Sequence, residues 1–104
     1  MLEAIENALN ATGLLFEHYA WSPAPNSDYG AWAEDGAHDL EADGGHAEQA
    51  MTGTVDYFTR DATGACKAVI ETALENAGCA WYLNSVQYEN DTGYVHWEWV
   101  WEVV

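Results

Sequence analysis

Ala80-Trp-Tyr-Leu-Asn-Ser-Val-Gln-Tyr88, then Glu89-Asn-Asp-Thr-Gly93, then Tyr94-Val-His-Trp-Glu-Trp-Val-Trp-Glu-Val-Val104 close this sequence and decide its fold. Side chains alternate faces along a strand, so Val95, Trp97, Trp99, Trp101 and Val103 share one face of the last arm. Tyr94, His96, Glu98, Val100, Glu102 and Val104 share the other. A helix at 3.6 residues per turn would scatter the three tryptophans around its circumference, so the stretch reads as a β-hairpin rich in β-branched and aromatic residues. Burial at about 25 cal/mol per Å² makes a tryptophan stripe of this size a main source of folding energy. The stripe therefore reads as core before it reads as a ligand-stacking platform.

Working outward, the 104 residues make one domain, and 49% hydrophobic residues with six Trp and six Tyr make it globular rather than disordered. A chain this long buries roughly 65% of its unfolded surface, enough for a core without disulfide or metal staples. Eighteen acidic residues stand against Arg60 and Lys67, for a formal net charge of −16. That charge repels nucleic acid and anionic membrane, and two cations cannot form a phosphate-binding patch. It suits a solubilising surface, a high-salt habitat, or a surface that faces something charged. Cys66 and Cys79 fit neither a CxxC motif nor a zinc-finger spacing and read as reduced, mostly buried thiols. No basic segment followed by an apolar run marks a secretion signal, and no apolar run approaches 18 residues.

In chain order, Leu2 to Asn10 is expected to be a helix, with Leu2, Ile5 and Leu9 on one stripe and Gly13 as its stop. Leu14 to Trp21 reads as a strand, and Ser22 to Asp28, with its two prolines, as a loop. Tyr29 to Ala33 reads as a strand with Trp32 on one face and Tyr29, Ala31 and Ala33 on the other. Glu34 to His46 is the most acidic stretch. Its glycines mark turns, with a short strand possible at Asp39 to Ala42. Ala47 to Thr59 alternates as a long strand. A second helix is expected from Thr63 or Gly64 to Asn76, with an apolar stripe of Cys66, Val69, Ile70, Ala73 and Leu74, a cap from Asp61 or Thr63, and Gly78 after its end. The order of elements implies an α+β fold: a mostly antiparallel sheet of four to five strands, two helices on one face, and the hairpin last.

Catalytic chemistry finds little footing. Asp35, His38, Asp39, Glu41, Asp43, His46 and Glu48 crowd one segment, yet match no calcium loop and no HExxH. They read as a solvated acidic loop. No GxSxG, GxxxxGK[ST] or GxGxxG occurs, and neither cysteine has an activating neighbourhood. No enzyme activity and no cofactor are expected.

Ordered patches along the chain carry a resemblance. They are the opening helix ending in Thr12-Gly13-Leu14; the Pro-containing loop before Tyr29-Gly; Asp39-Leu40 and Ala42-Asp43 before a Gly turn; Val55-Asp-Tyr-Phe-Thr59 leading through Asp61 into the second helix; Leu74-Glu-Asn-Ala-Gly78; and Tyr88, Tyr94 and Glu98 of the hairpin. Taken together the chain resembles the tail-terminator or tail-completion proteins of long-tailed bacteriophages. It departs from their pattern where comparable members carry lysines, at Gly44, Gly45 and His46 and at Ala62 and Thr63, and where Leu40 stands for a large aromatic. The resemblance implies a virion subunit that closes into a ring, typically a hexamer, at the head-proximal end of the tail. Assembled in the host cytoplasm, such a ring stops tube polymerisation and joins head to tail. Its partners would be copies of itself, the tail tube protein and the head-tail connector or neck proteins. DNA would pass through the lumen without specific binding, and no membrane is involved. Head-to-tail rings need two different complementary patches. Candidates are Tyr29 and Trp32; the acidic segment with Glu34, Asp35, His38, Asp39, Leu40, Asp43 and His46; and His96, Glu98 and Glu102 of the last strand. The alternative class is an acidic inhibitor that mimics DNA and occupies a host nucleic-acid-binding protein.

Overall fold

The computed structural model describes residues 2–41 and 47–103, and for residues 37–41 and 47–49 it describes backbone pairing alone. Helix α1 (Leu2–Asn10) is followed by strands β1 (Phe16–His18), β2 (Tyr29–Glu41) and β3 (Ala47–Thr59), helix α2 (Ala65–Asn76), and strands β4 (Ala80–Tyr88) and β5 (Val95–Val103). The strands form one sheet in the order β1-β2-β3-β5-β4. Every neighbouring pair is antiparallel except β1 and β2, which run parallel. The α+β architecture expected from the sequence is the one observed, with the closing hairpin in the register its alternation requires.

Both helices lie against one face of the sheet. Ile5 and Leu9 of α1 and Cys66, Ile70, Ala73 and Leu74 of α2 join Trp32, Val55, Tyr57, Trp99, Trp101 and Val103 in a single core. Trp99 and Trp101 have no exposed surface at all. Rings of that size remove roughly 200 Å² each from water, about 5 kcal/mol apiece before entropy is counted. Trp99 also uses its polar end: its Nε1–H donates to Glu71 Oε2 at 3.0 Å. The tryptophan stripe is core, as its period of two implied.

Four expectations need correction. The first strand spans only Phe16–His18, not Leu14 to Trp21, because Tyr19 turns into the left-handed region at φ 76 and breaks the extended run. The acidic stretch is not a loop from Glu34 onward. Strand β2 continues through it to Glu41, held by β3, with a β-bulge at Asp35 absorbing the irregularity and Gly36 paired to Thr52. Helix α2 starts at Ala65 without a side-chain cap, since Gly64 takes the cap position at φ 76 and Asp61 spends its carboxylate on the Thr63 N–H (2.9 Å) and hydroxyl (2.7 Å). Val69, expected in the apolar stripe, is 40% exposed because it points past the sheet, beside α1 rather than into the core. Cys66 and Cys79 are free, buried thiols, as expected.

Strand lengths set the outline of the molecule. β5 covers β3 only from Met51 to Thr59, so the β2–β3 ribbon runs on past the sheet body, with His38, Asp39, Leu40 and Glu41 paired to Ala50, Gln49, Glu48 and Ala47. β1 covers only Gly30 to Trp32 of β2. The result is elongated, 52 × 25 × 25 Å.

Candidate assembly surface

Register fixes what the face opposite the helices presents. Residues directly opposite one another across paired strands point the same way. Tyr29, Phe58, His96 and Gln87 therefore form one row, Ala31, Asp56, Glu98 and Ser85 the next, and Ala33, Thr54, Val100 and Tyr82 the third. Thr52 and Glu102 lie beyond them. No helix covers these rows.

The first row is an aromatic run. Tyr29 stacks on Phe58 with centroids 4.8 Å apart, and Phe58 stacks on His96 at 4.2 Å. Tyr94 meets both Tyr29 and Phe58 edge-on and donates its hydroxyl to the Ser27 carbonyl at 2.9 Å. The Arg60 guanidinium sits over the Tyr94 ring at 4.2 Å. The second row is acidic. His96 Nε2 lies 2.7 Å from Asp56 Oδ1; a carboxylate can only accept, so the imidazole donates. That bond raises the His96 pKa against the opposing effect of burial. Glu98 Oε1 accepts from Asn84 Nδ2 at 2.6 Å. Asn84 is the extra residue of a β-bulge between Leu83 and Ser85, which aims its amide at Glu98.

The residues anticipated from sequence divide between the two faces. Tyr29, His96, Glu98 and Glu102 share the open face. Trp32 is 3% exposed on the helix side, stacked on His18 at 3.9 Å, and offers no surface to a partner. Glu34 lies on that same side, where it accepts from His18 Nε2–H at 2.7 Å. Its own backbone N–H, then His18, hold its carboxyl below the usual range. Asp35 sits in the β2 bulge and accepts from the Thr52 hydroxyl at 3.0 Å. His38, Asp39 and Leu40 take their places on the projecting ribbon. Asp43 and His46 lie outside the described residues. From Glu34 to Glu41 the acidic segment is a strand paired to β3.

The sheet has two unlike edges. On one side no described strand pairs with β2 from Ala33 to Glu41, where it carries Glu34, Asp35, Asp39 and Glu41. On the other side lies β4, AWYLNSVQY, the one element of seven without a charged residue in a chain of net charge −16. It leaves Tyr82, Val86 and Tyr88 respectively 56%, 46% and 64% exposed. Natural edge strands are usually blunted by lysine, proline or inward charges. β4 has none of these and is interrupted only by the bulge at Asn84. The missing charge is visible in the letters of the sequence. What was invisible was that β4, and not β5, forms the edge. No family model and no curated protein matches this sequence.

Proposed function

We propose that this protein is an assembly subunit that joins copies of itself head to tail into a closed ring, the role implied by its resemblance to phage tail terminators. The observation that carries the reading is the uncharged, apolar β4 edge lying opposite a different, acidic β2 edge. A heterologous contact needs two unlike patches on one subunit, and backbone pairing of β4 with the next copy's β2 would extend the sheet from subunit to subunit. In a ring built this way the open sheet face would be available to line the hole. Among the described residues that face carries Asp56, Glu98 and Glu102, with Arg60 held over the Tyr94 ring at its rim, so its balance is negative and DNA would slide past without sticking.

The DNA-mimic reading fares less well. A mimic needs free carboxylates spaced like phosphates, but many here are engaged internally. Asp28 accepts from Thr59 and Arg60, Glu71 from Trp99 and Lys67, and Glu75 from Trp81.

Light scattering after size exclusion, with electron microscopy of the same fractions in the presence of tail tube, tests the proposal. The wild type should form closed oligomers. Val86→Asp and Tyr88→Asp, both at exposed positions, should stay folded by circular dichroism and remain monomeric. Oligomers that survive both substitutions would refute the β4 contact, and a wild type that never assembles on tube or alone would refute the ring.

A further inference from the structure

Asp56 and Glu98 face one another directly across β3 and β5. Like charges placed opposite in a sheet destabilise it, and here no fixed cation relieves them. Arg60 lies over Tyr94, and Lys67 pairs with Glu71 on α2 at 2.8 Å. His96 completes a trio whose ligand atoms all lie within 4.8 Å of one another. The side chains of His96 and Asp56 are only about a quarter exposed, at 24% and 23%.

The surroundings are arranged as a metal site's are. The Phe58 ring stacks on the imidazole from the neighbouring strand, and Asn84, placed by its bulge, holds the Glu98 carboxylate by hydrogen bond. The small residues Ala31 and Ser85 stand at the two ends of the Asp56–Glu98 row. All three donors stand on paired strands of one sheet, and that rigidity limits the entropy a ligand would have to remove.

We propose that Asp56, His96 and Glu98 bind a divalent first-row transition ion, Zn²⁺ by preference. One imidazole and two carboxylates are a borderline donor set, favouring Zn²⁺ over Mg²⁺ or Ca²⁺, which seek oxygen alone. Bonds of about 2.0–2.1 Å put tetrahedral ligand atoms about 3.4 Å apart, within reach of small side-chain rotations from the spacing seen. The ion takes the place of the Nε2 proton that His96 donates to Asp56: from the imidazolium that proton leaves to solvent, and in the neutral ring it passes to Nδ1, so that Nε2 ligates as a neutral imidazole either way. The site is distinct from the acidic segment around His38 and His46, and it stands whether or not the subunit forms rings.

Calorimetric titration of untagged protein with Zn²⁺, with Mg²⁺ and Ca²⁺ as controls for general attraction to a polyanion, tests this directly. Wild type should bind one Zn²⁺ saturably and melt several degrees higher with it. His96→Ala and Asp56→Asn should abolish that binding. Asn84→Ala, which touches no ion, should weaken it by about tenfold to a hundredfold. Absence of saturable Zn²⁺ binding, equal affinity for Mg²⁺, or unchanged binding in His96→Ala would each overturn the proposal. Should the variants fail to fold, Co²⁺ added to the wild type gives an independent reading. Paramagnetic broadening must centre on the amides of 56, 96 and 98, and broadening centred on residues 38–48 would overturn the assignment.

Discussion

Replacing Gly53 by alanine should damage this fold more than any other single added methyl on the open strands. Gly53 lies on β3 in the middle of the sheet, opposite Glu34 on β2 and Trp101 on β5. A Cβ there would come closer than 3.0 Å to the Ala33 carbonyl oxygen and to the ring of Trp101. The bulge at Asp35 and the fully buried indole both depend on that empty space. Overpacking a core costs typically 1–3 kcal/mol, and the upper end applies because a backbone carbonyl cannot rotate aside. Reduced freedom of the unfolded chain returns about 0.4–1 kcal/mol, leaving a net loss of about 2–2.5 kcal/mol. For a domain of this size that lowers the melting temperature by about 10–15 °C. Gly36→Ala is the internal control, since its Cβ would meet only the Thr52 hydroxyl at 3.2 Å, the movable end of a side chain. Its effect should stay within about 0.5 kcal/mol. Thermal melts followed by far-ultraviolet circular dichroism and tryptophan fluorescence compare the two. If Gly53→Ala melts no lower than Gly36→Ala, the account of close packing between β2, β3 and Trp101 is wrong.

Trp99→Phe should cost about 2–3 kcal/mol in urea titrations, because a buried N–H donating to a carboxylate is lost together with ring volume. Burial pushes the Cys66 and Cys79 thiols up to about 11 from an ordinary value of 9.0. A raised pKa means the folded state keeps protons that the unfolded state releases. Stability should therefore be insensitive to these thiols below pH 9 and fall between pH 9 and about 11, by up to about 1.4 kcal/mol per pH unit for each thiol. Denaturant midpoints at pH 8 and 10 should show that fall, and a Cys66→Ala, Cys79→Ala double variant should show a shallower one. Self-association should tighten as salt rises, because each copy brings a charge of −16 and screening shortens to about 8 Å at physiological ionic strength. Sedimentation showing tighter assembly at low salt would contradict that expectation.

The sequence by itself determined the elements whose pattern repeats. α1 at Leu2–Asn10, β3 at Ala47–Thr59 and β4 at Ala80–Tyr88 begin and end where hydrophobic period and turn residues put them. The Trp97-Trp99-Trp101 alternation named its own buried face, since period two leaves each side chain only one of two directions. Tertiary structure alone decided the rest. Composition marks the stretch from Glu34 as an acidic loop with at most a short strand at Asp39 to Ala42, yet β3 supplies hydrogen-bond partners from Glu34 to Glu41, and pairing overrides local preference. Trp32 reads as a surface aromatic until His18, fourteen residues earlier, stacks on it across a parallel pair. Asp56 is one of eighteen acidic residues along the chain, and only β5 brings His96 and Glu98 beside it. Which strands stand at the edges, and which carboxylates face each other, follow from register between distant segments. Local chemistry along the chain does not encode that register.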